Sequence, residues 1–368
     1  MTATTMRAVV CRTFGPPGML SLEQVPVPTP GRKDVVVRTH AAGINFTDLL
    51  AIEGRSQLRR VPPIIPGTEV AGEIIRVGQD ISRFRIGQRV LGTCVHGAYA
   101  EQTLLAEDEV YPIPDDMDFE TAASFYIAST TSRYALVERA RLRSGENLLV
   151  LGAGSGAGLA AIQIGKALGS RIIGAASSQE KLELALEHGA DGTVLYPRDP
   201  LDIEGQKRFY SDLLAASGSA KKPSPVTLGK LSSVSGAAGF DVVYDAVGGT
   251  YTEPALRSLA WEGRYLSVGF AAGVPTPSLG PLLFKNAVLM GIQPAADTAR
   301  LPGRNAAAME QMLGWFRNGL LLPKITEVYP LERAGEALQQ LKDRRAMGRI
   351  VLVMTQPVSV SASPPSSG

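Results

Sequence analysis

The sequence predicts an α/β protein in which a doubly wound parallel sheet interrupts a second, β-rich domain. Three observations lead there. The first hundred residues carry short apolar runs divided by turn residues, apolar strands alternate with helical stretches from residue 147, and a strand pattern returns at 349–354. Continuous apolar strands alternating with helices imply a parallel sheet covered on both faces. The 368 residues are enough for two domains, each with a full core.

Taken in order, strands are expected at 6–12, 34–41, 69–77 and 88–93, with Gly78, Gly87, Gly92 and Gly97 as punctuation. From about residue 120 the period lengthens. FETAASFYIASTTSRYALVERA reads as one long helix, and LRSGE turns the chain into an apolar strand at 147–151. A helix at 158–168, a strand at 171–176, a helix at 179–188 and a strand at 193–196 follow. Later strands are expected at 241–245, 264–269 and 287–291, and helices near 304–318 and 331–343. The expected layout is therefore 1–125 and 292–356 for the split β-rich domain, around 126–291 for the doubly wound one. Within the latter, 217–235 (SGSAKKPSPVTLGKLSSVS) has the composition of a flexible insertion, and 357–368 that of a disordered tail.

Composition excludes several classes. Hydrophobic content of 45% and charged content of 20% are those of a soluble globular protein. A net charge of +2 without a long basic run offers no footprint for nucleic acid. Two cysteines, Cys11 and Cys94, define no disulfide framework, and MTATTMRAVVCRTF lacks a secretory apolar core, so a cytoplasmic protein is expected. The uncharged runs 147–165 and 265–284 are long enough to span a bilayer. Glycines interrupt the first, and Pro275, Pro277 and Pro281 the second, so neither is read as a membrane span.

The first of these runs holds the most informative stretch, LLVLGAGSGAGLAAIQIGKAL at 148–168, with five glycines and no charge before Lys166. A glycine-rich turn between an apolar strand and a helix lets backbone N–H groups approach a pyrophosphate at the helix N-terminus. The spacing departs from strict G-x-G-x-x-G, since Ala153 and Ser155 stand where two glycines would, with Gly152, Gly154 and Gly156 on either side. The turn Gly154–Ser155–Gly156–Ala157 is expected to bind a dinucleotide. The second strand ends at Ser177 and Ser178, not at the acid that would hold a ribose 2′-hydroxyl, and Lys181 follows, with Tyr196 and Arg198 closing the third strand. Hydroxyls and a cation suit a 2′-phosphate, so the expected cofactor is NADPH.

With the upstream segments AAGINFTDLLAIEG (41–54), PGTEVAGEI (66–74) and GAYAEQ (97–102), and with FDVVYDAVGG (240–249) and SLAWEGRYLSVGFAAG (258–273), the chain resembles the zinc-independent quinone oxidoreductases of the medium-chain dehydrogenase/reductase superfamily, zeta-crystallin among them. The resemblance implies a GroES-like catalytic domain, split in sequence, around a Rossmann domain, and a homodimer that uses NADPH. The 287–291 strand (AVLMG) is the expected dimer edge. It further implies that Asn45, a candidate catalytic residue, stands beside the nicotinamide and substrate. Thr131, Val247, Gly248, Gly269, Phe270, Ala271 and Arg345 are implied as cofactor contacts. Leu50 and Arg55 stand where some relatives carry tyrosines and are the implied substrate-side residues.

The zinc-dependent branch carries a Cys after the first strands where this chain has INFTD, and a His where it has Thr68 between Gly67 and Glu69. With two cysteines in all, and only the short Cys94-x-His96 pair, no metal site is expected. The leading expectation is NADPH-dependent hydride transfer to quinones or other conjugated carbonyls. A 2-enoyl-thioester reductase, and an NADPH-binding sensor or crystallin-like protein with little turnover, stay open as alternatives.

Overall fold

The computed structural model describes residues 4–56, 61–218, 239–295 and 304–354. The core of the expected insertion and the whole tail lie outside the described residues. By contacts the chain forms two units, Met1–Ala123 with Val328–Gln339 and Val351–Gly368, and Ser124–Glu327 with Gln340–Ile350.

In the first unit β1 (Thr5–Val10) and β2 (Ser21–Pro26) form an antiparallel pair. The larger antiparallel sheet centres on β3 (Asp34–Gly43), whose Val35, Val36 and Val37 are fully buried. One edge of β3 pairs along its length with β4 (Glu69–Val77), which continues to β5 (Arg89–Thr93) and β7 (Val110–Pro112). Two strands share the other edge: β6 (Gln102–Ala106) takes Asp34–Arg38, and the last strand, Arg349–Val353, takes Ala41–Gly43. Successive side chains of a strand point to opposite faces, so the full burial of these three valines means that both faces of β3 are covered here. Helix α1 (Phe46–Ile52) leaves the end of β3, and α2 (Phe119–Ala123) closes this part of the chain.

In the second unit six parallel strands, β8 (Asn147–Leu151), β9 (Arg171–Ala176), β10 (Gly192–Leu195), β11 (Phe240–Asp245), β12 (Leu259–Ser267) and β13 (Val288–Gly291), run in the order β10-β9-β8-β11-β12-β13. Numbered within the sheet this is 3-2-1-4-5-6, the order of the dinucleotide-binding Rossmann fold. Leu148 to Leu151 are completely buried at its centre. The strand order reverses between β8 and β11, and such a switch point opens a crevice at the strands' carboxyl ends.

Several expectations need correction. The long helix from residue 119 is two helices, α2 and α3 (Tyr126–Arg133), followed by a π-helical turn at Tyr134–Arg139 in which Ala140 N–H donates to Ala135 O at 2.8 Å. The helix expected at 158–168 is α4 (Gly156–Ala167), starting earlier because Ser155 caps it. Among the described residues, 292–295 and 304–327 cluster with the parallel sheet, whereas the expected layout had them in the β-rich domain. The helix Arg304–Arg317 packs there, with Phe316 edge-on to Phe125 at 6.0 Å and Asn305 donating to the Tyr126 hydroxyl at 3.0 Å.

Candidate functional site

Each unit carries one cluster of the residues expected from the sequence. In the second unit the turn after β8 folds tightly onto itself. Gly152 has φ +79°, and the Ser155 hydroxyl donates to Gly152 O at 2.8 Å while accepting from Gly158 N–H at 3.1 Å. A Cβ on Gly158 would fall 2.2 Å from Gly152 O, so the first helical turn lies directly against the strand end. The Gly156 and Ala157 amides occupy the first-turn positions where a helix has no internal acceptor. These residues can hold a pyrophosphate. The parallel strand context also fits: Gly348 N–H donates to Gly154 O at 2.8 Å, fixing the turn from behind.

Helix α5 (Gln179–Glu187) brings Lys181 onto the turn, so close that a Cβ on Gly154 would fall 2.6 Å from Lys181 Cβ. Lys181 Nζ donates to Arg344 O at 3.0 Å, and the Arg344 guanidinium donates to Arg198 O at 3.0 Å. Burial, then the positive fields of Arg198 and Arg344, hold the Lys181 ammonium below its ordinary pKa. Lys181 and Arg344 thus take backbone carbonyls as partners, with the Arg198 charge close enough to act on Lys181. Ser178 is the α5 cap, accepting from Lys181 N–H at 3.4 Å, and Ser177 is half-buried beside it. Tyr196 is 4% exposed, its ring packed against Tyr251 at 4.7 Å and Phe209 at 5.6 Å, which places most of that side chain in the core. The Tyr251 hydroxyl lies 2.8 to 3.0 Å from the carbonyls of Pro197, Arg198 and Asp199 and donates to one at a time, holding the loop that carries Arg198.

Across the switch point, a Cβ on Gly152 would meet Val247 Cγ2 at 3.1 Å. Val247 and Gly248 are buried, Gly269 is half-buried, and Phe270 and Ala271 are exposed. Thr131 is half-buried on α3, whereas the neighbouring Thr130 hydroxyl is buried with no hydrogen-bond partner. Arg345 has an exposed side chain and donates its N–H to Gln340 O at 3.0 Å. The C-terminal segment therefore brings Arg344 to Lys181. Sequence reasoning missed Arg344, since nothing in a stretch so remote from α5 signals the contact.

In the first unit, the pairing of Gly43 with Glu69 sets Asn45 beside the start of β4. Asn45 caps α1 in a reciprocal box with Asp48, whose Oδ2 accepts from Asn45 N–H at 2.8 Å, and Asn45 Nδ2 donates to Glu69 Oε2 at 3.2 Å. The Asn45 side chain is thus held on both sides by the fold. Asp48 also accepts from the Tyr99 hydroxyl at 2.8 Å and from Thr68 Oγ1 at 2.9 Å. Tyr99 reaches it because its ring fills the space over Gly67, where a Cβ would fall 2.3 Å from Tyr99 Cδ1. Full burial, with some repulsion from Glu69, pushes Asp48 up to about 6 despite its three donors. Cys94 donates weakly to Gly67 O at 3.7 Å; burial, then the Asp48 charge, push its thiol up to about 12. Leu50 is half-buried on α1, and the exposed Arg55 pairs with Glu53 at 3.0 Å. Among the described residues no group of three or more His, Cys, Asp or Glu could hold a metal, and no helix is long and apolar enough to cross a membrane.

Comparison with known proteins adds the following. Residues 31–115 match the alcohol dehydrogenase GroES-like domain, and residues 224–352 match a domain described as zinc-binding dehydrogenase. The chain is 33% identical to quinone oxidoreductase-like protein 2 of Bos taurus, over 94% of this chain and 92% of the relative. It is 32% identical to a quinone oxidoreductase of Pseudomonas aeruginosa, over 92% and 97%. A mycobacterial protein solved in complex with NADPH superposes with a TM-score of 0.82 at 27% identity, covering 95% of this chain and 99% of that one.

The elevated Asp48 pKa has a consequence for stability. A carboxyl whose folded pKa exceeds its unfolded value stabilises the fold below the unfolded pKa and loses that contribution as pH rises through about 6. Asp48→Asn, neutral throughout, should flatten the fall in unfolding free energy between pH 4 and 7 by on the order of 3 kcal/mol relative to the unmodified protein. Urea titrations at several pH values check this. Parallel stability curves for the two proteins would show that Asp48 does not titrate in that window.

Proposed function

Because the chain belongs to the quinone oxidoreductase family of the medium-chain dehydrogenase/reductase superfamily, we propose that it reduces quinones or other conjugated carbonyls with NADPH and without zinc. The observation that carries the reading is the convergence of Lys181, Arg198 and Arg344 beside the glycine-rich turn. The hydrogen bonds of Lys181 and Arg344 go to carbonyls, which satisfy the donors without neutralising the charge, and Ser177 stands where an acid would repel a 2′-phosphate. Lys181, with Ser177 and Ser178, then takes the 2′-phosphate, and the amides of Gly156 and Ala157 take the pyrophosphate.

NADPH bound in this way supplies the hydride. Asn45, Leu50 and Arg55 are the acceptor-side residues of the reading, with Asp48 and Glu69 fixing Asn45 in place. A quinone suits a site without an evident proton donor, because its reduction leaves an aromatic hydroquinone anion that water can protonate. An isolated ketone would require an acid or a Lewis acid. The INFTD segment and Thr68 stand where the zinc branch carries its Cys and His, and neither an amide nor a threonine hydroxyl is among the usual zinc ligands. The unpaired state of Cys11 and Cys94 is in keeping with a cytoplasmic enzyme.

Three measurements check this reading. Incubated with NADPH and an ortho-quinone, a para-quinone, an enone or an enoyl thioester, the protein should oxidise NADPH with the quinones and enone. A chelator should change nothing. Turnover confined to the thioester would make it an enoyl reductase, and binding without oxidation would make it a sensor.

Lys181→Glu should weaken NADPH by roughly 1–3 kcal/mol, the cost of a lost charge-assisted hydrogen bond, and NADH much less. Equal losses for the two cofactors would remove Lys181 from the 2′-phosphate.

The protein should also sediment as a homodimer at micromolar concentration. Val288 and Leu289 on the sheet-edge strand β13 are 45% and 42% exposed, and Leu283 and Phe284 nearby in sequence are 79% and 78% exposed, which is apolar area that a second copy would cover. A monomeric mass would refute the dimer.

A further inference from the structure

Asp245, the last residue of β11, is 1% exposed, and its carboxylate takes four donors. Oδ1 accepts from Val247 N–H at 2.8 Å and Gly248 N–H at 2.9 Å, while Oδ2 accepts from the Thr252 hydroxyl at 2.9 Å and the Tyr265 hydroxyl at 2.6 Å. Its backbone carbonyl accepts from Val268 N–H at 2.8 Å and Gly269 N–H at 3.2 Å. One residue therefore grips both loops at the carboxyl ends of β11 and β12. The loops are bonded to each other as well, Ala272 N–H to Val247 O at 2.7 Å and Gly249 N–H to Gly273 O at 2.8 Å.

This arrangement reaches the phosphate turn. Gly248 has φ +70° and ψ −148°, a conformation that side chains rarely adopt, and a Cβ there would fall 2.7 Å from Gly273 O. Held so, the loop presents Val247 Cγ2 to Gly152, the first residue of the glycine-rich turn. A fully buried carboxylate is costly unless every lone pair is used, and here neutral donors alone use them. Two of those donors are the loop's own amides, so the charge fixes the loop's direction.

We infer that Asp245 is a positioning residue for the dinucleotide: its carboxylate and carbonyl set the two loops that form the far wall of the switch-point crevice opposite the Gly152 turn. The inference rests on the dinucleotide reading of that turn. Asp245→Asn preserves shape and lets the amide donate to the Thr252 and Tyr265 hydroxyls, but weakens the two loop bonds by removing the charge. It should raise the NADPH dissociation constant, followed by nicotinamide fluorescence, by roughly tenfold or more. Steady-state rates should fall through KM for NADPH more than through kcat, and the Val247 and Gly248 amides should lose hydrogen-exchange protection. Gly248→Ala, which displaces the loop while leaving the carboxylate in place, should weaken NADPH similarly and covers the case in which Asp245→Asn does not fold. NADPH affinity within twofold of the unmodified protein in either folded variant, whatever the change in melting temperature, would overturn the inference. Failure of the unmodified protein to bind NADPH would instead overturn the dinucleotide reading itself.

Discussion

The close approach of the α4 N-terminus to the end of β8 is the constraint on which the second unit's site depends. A Cβ on Gly158 would lie 2.2 Å from the Gly152 carbonyl oxygen, so only glycine allows the helix to start there. From that contact follow the Ser155 cap, the outward aim of the first-turn amides, and the groove over Gly154 into which Lys181 lies. The turn is then held from the C-terminal segment by Gly348, whose N–H bonds Gly154 O. A helix dipole alone favours an anion only modestly; fixed amides at a switch point make a site.

A second regularity concerns how charge is held. Lys181 and Arg344 give hydrogen bonds to backbone carbonyls, while Asp48 and Asp245 take theirs from amides and hydroxyls. Dipoles satisfy the hydrogen-bonding capacity of a charge without cancelling it. Around the turn this leaves a positive field for a phosphate. In the first unit it leaves Asp48 buried with only neutral donors, so its ionised form is disfavoured and its pKa rises to about 6. Both consequences have the same physical origin, which is desolvation opposed by oriented neutral groups.

The family assignment joins a fold shared with zinc enzymes to a first-unit cluster of different chemistry. Asn45 is bonded to Glu69 and Asp48 and serves first as the α1 cap. Its amide is positioned by the fold before any ligand is considered, the condition that the acceptor-side role proposed for it requires.

The sequence by itself determined the Rossmann unit, because apolar strands such as Leu148–Leu151 and the glycine spacing are local signals of burial and of backbone approach. It also determined the segments that hold Asn45, Lys181 and Val247. It did not determine the partners. Arg344 meets Lys181 across 163 positions, Gly348 meets Gly154, and the Asp245 carboxylate gathers the Thr252 and Tyr265 hydroxyls. Such contacts leave no periodicity in the chain. The same holds for Tyr196, legible as the end of a strand yet packed by Tyr251 and Phe209 into the core. The helix expected whole from residue 119 breaks and ends in a π-helical turn, and on α3 just before that turn Ser132 bonds Ala157 O at 2.9 Å and lies 3.0 Å from the Tyr244 hydroxyl. Local propensity writes strands, turns and caps into a sequence; which charge faces which carbonyl is decided only when the sheet brings distant segments within hydrogen-bonding range.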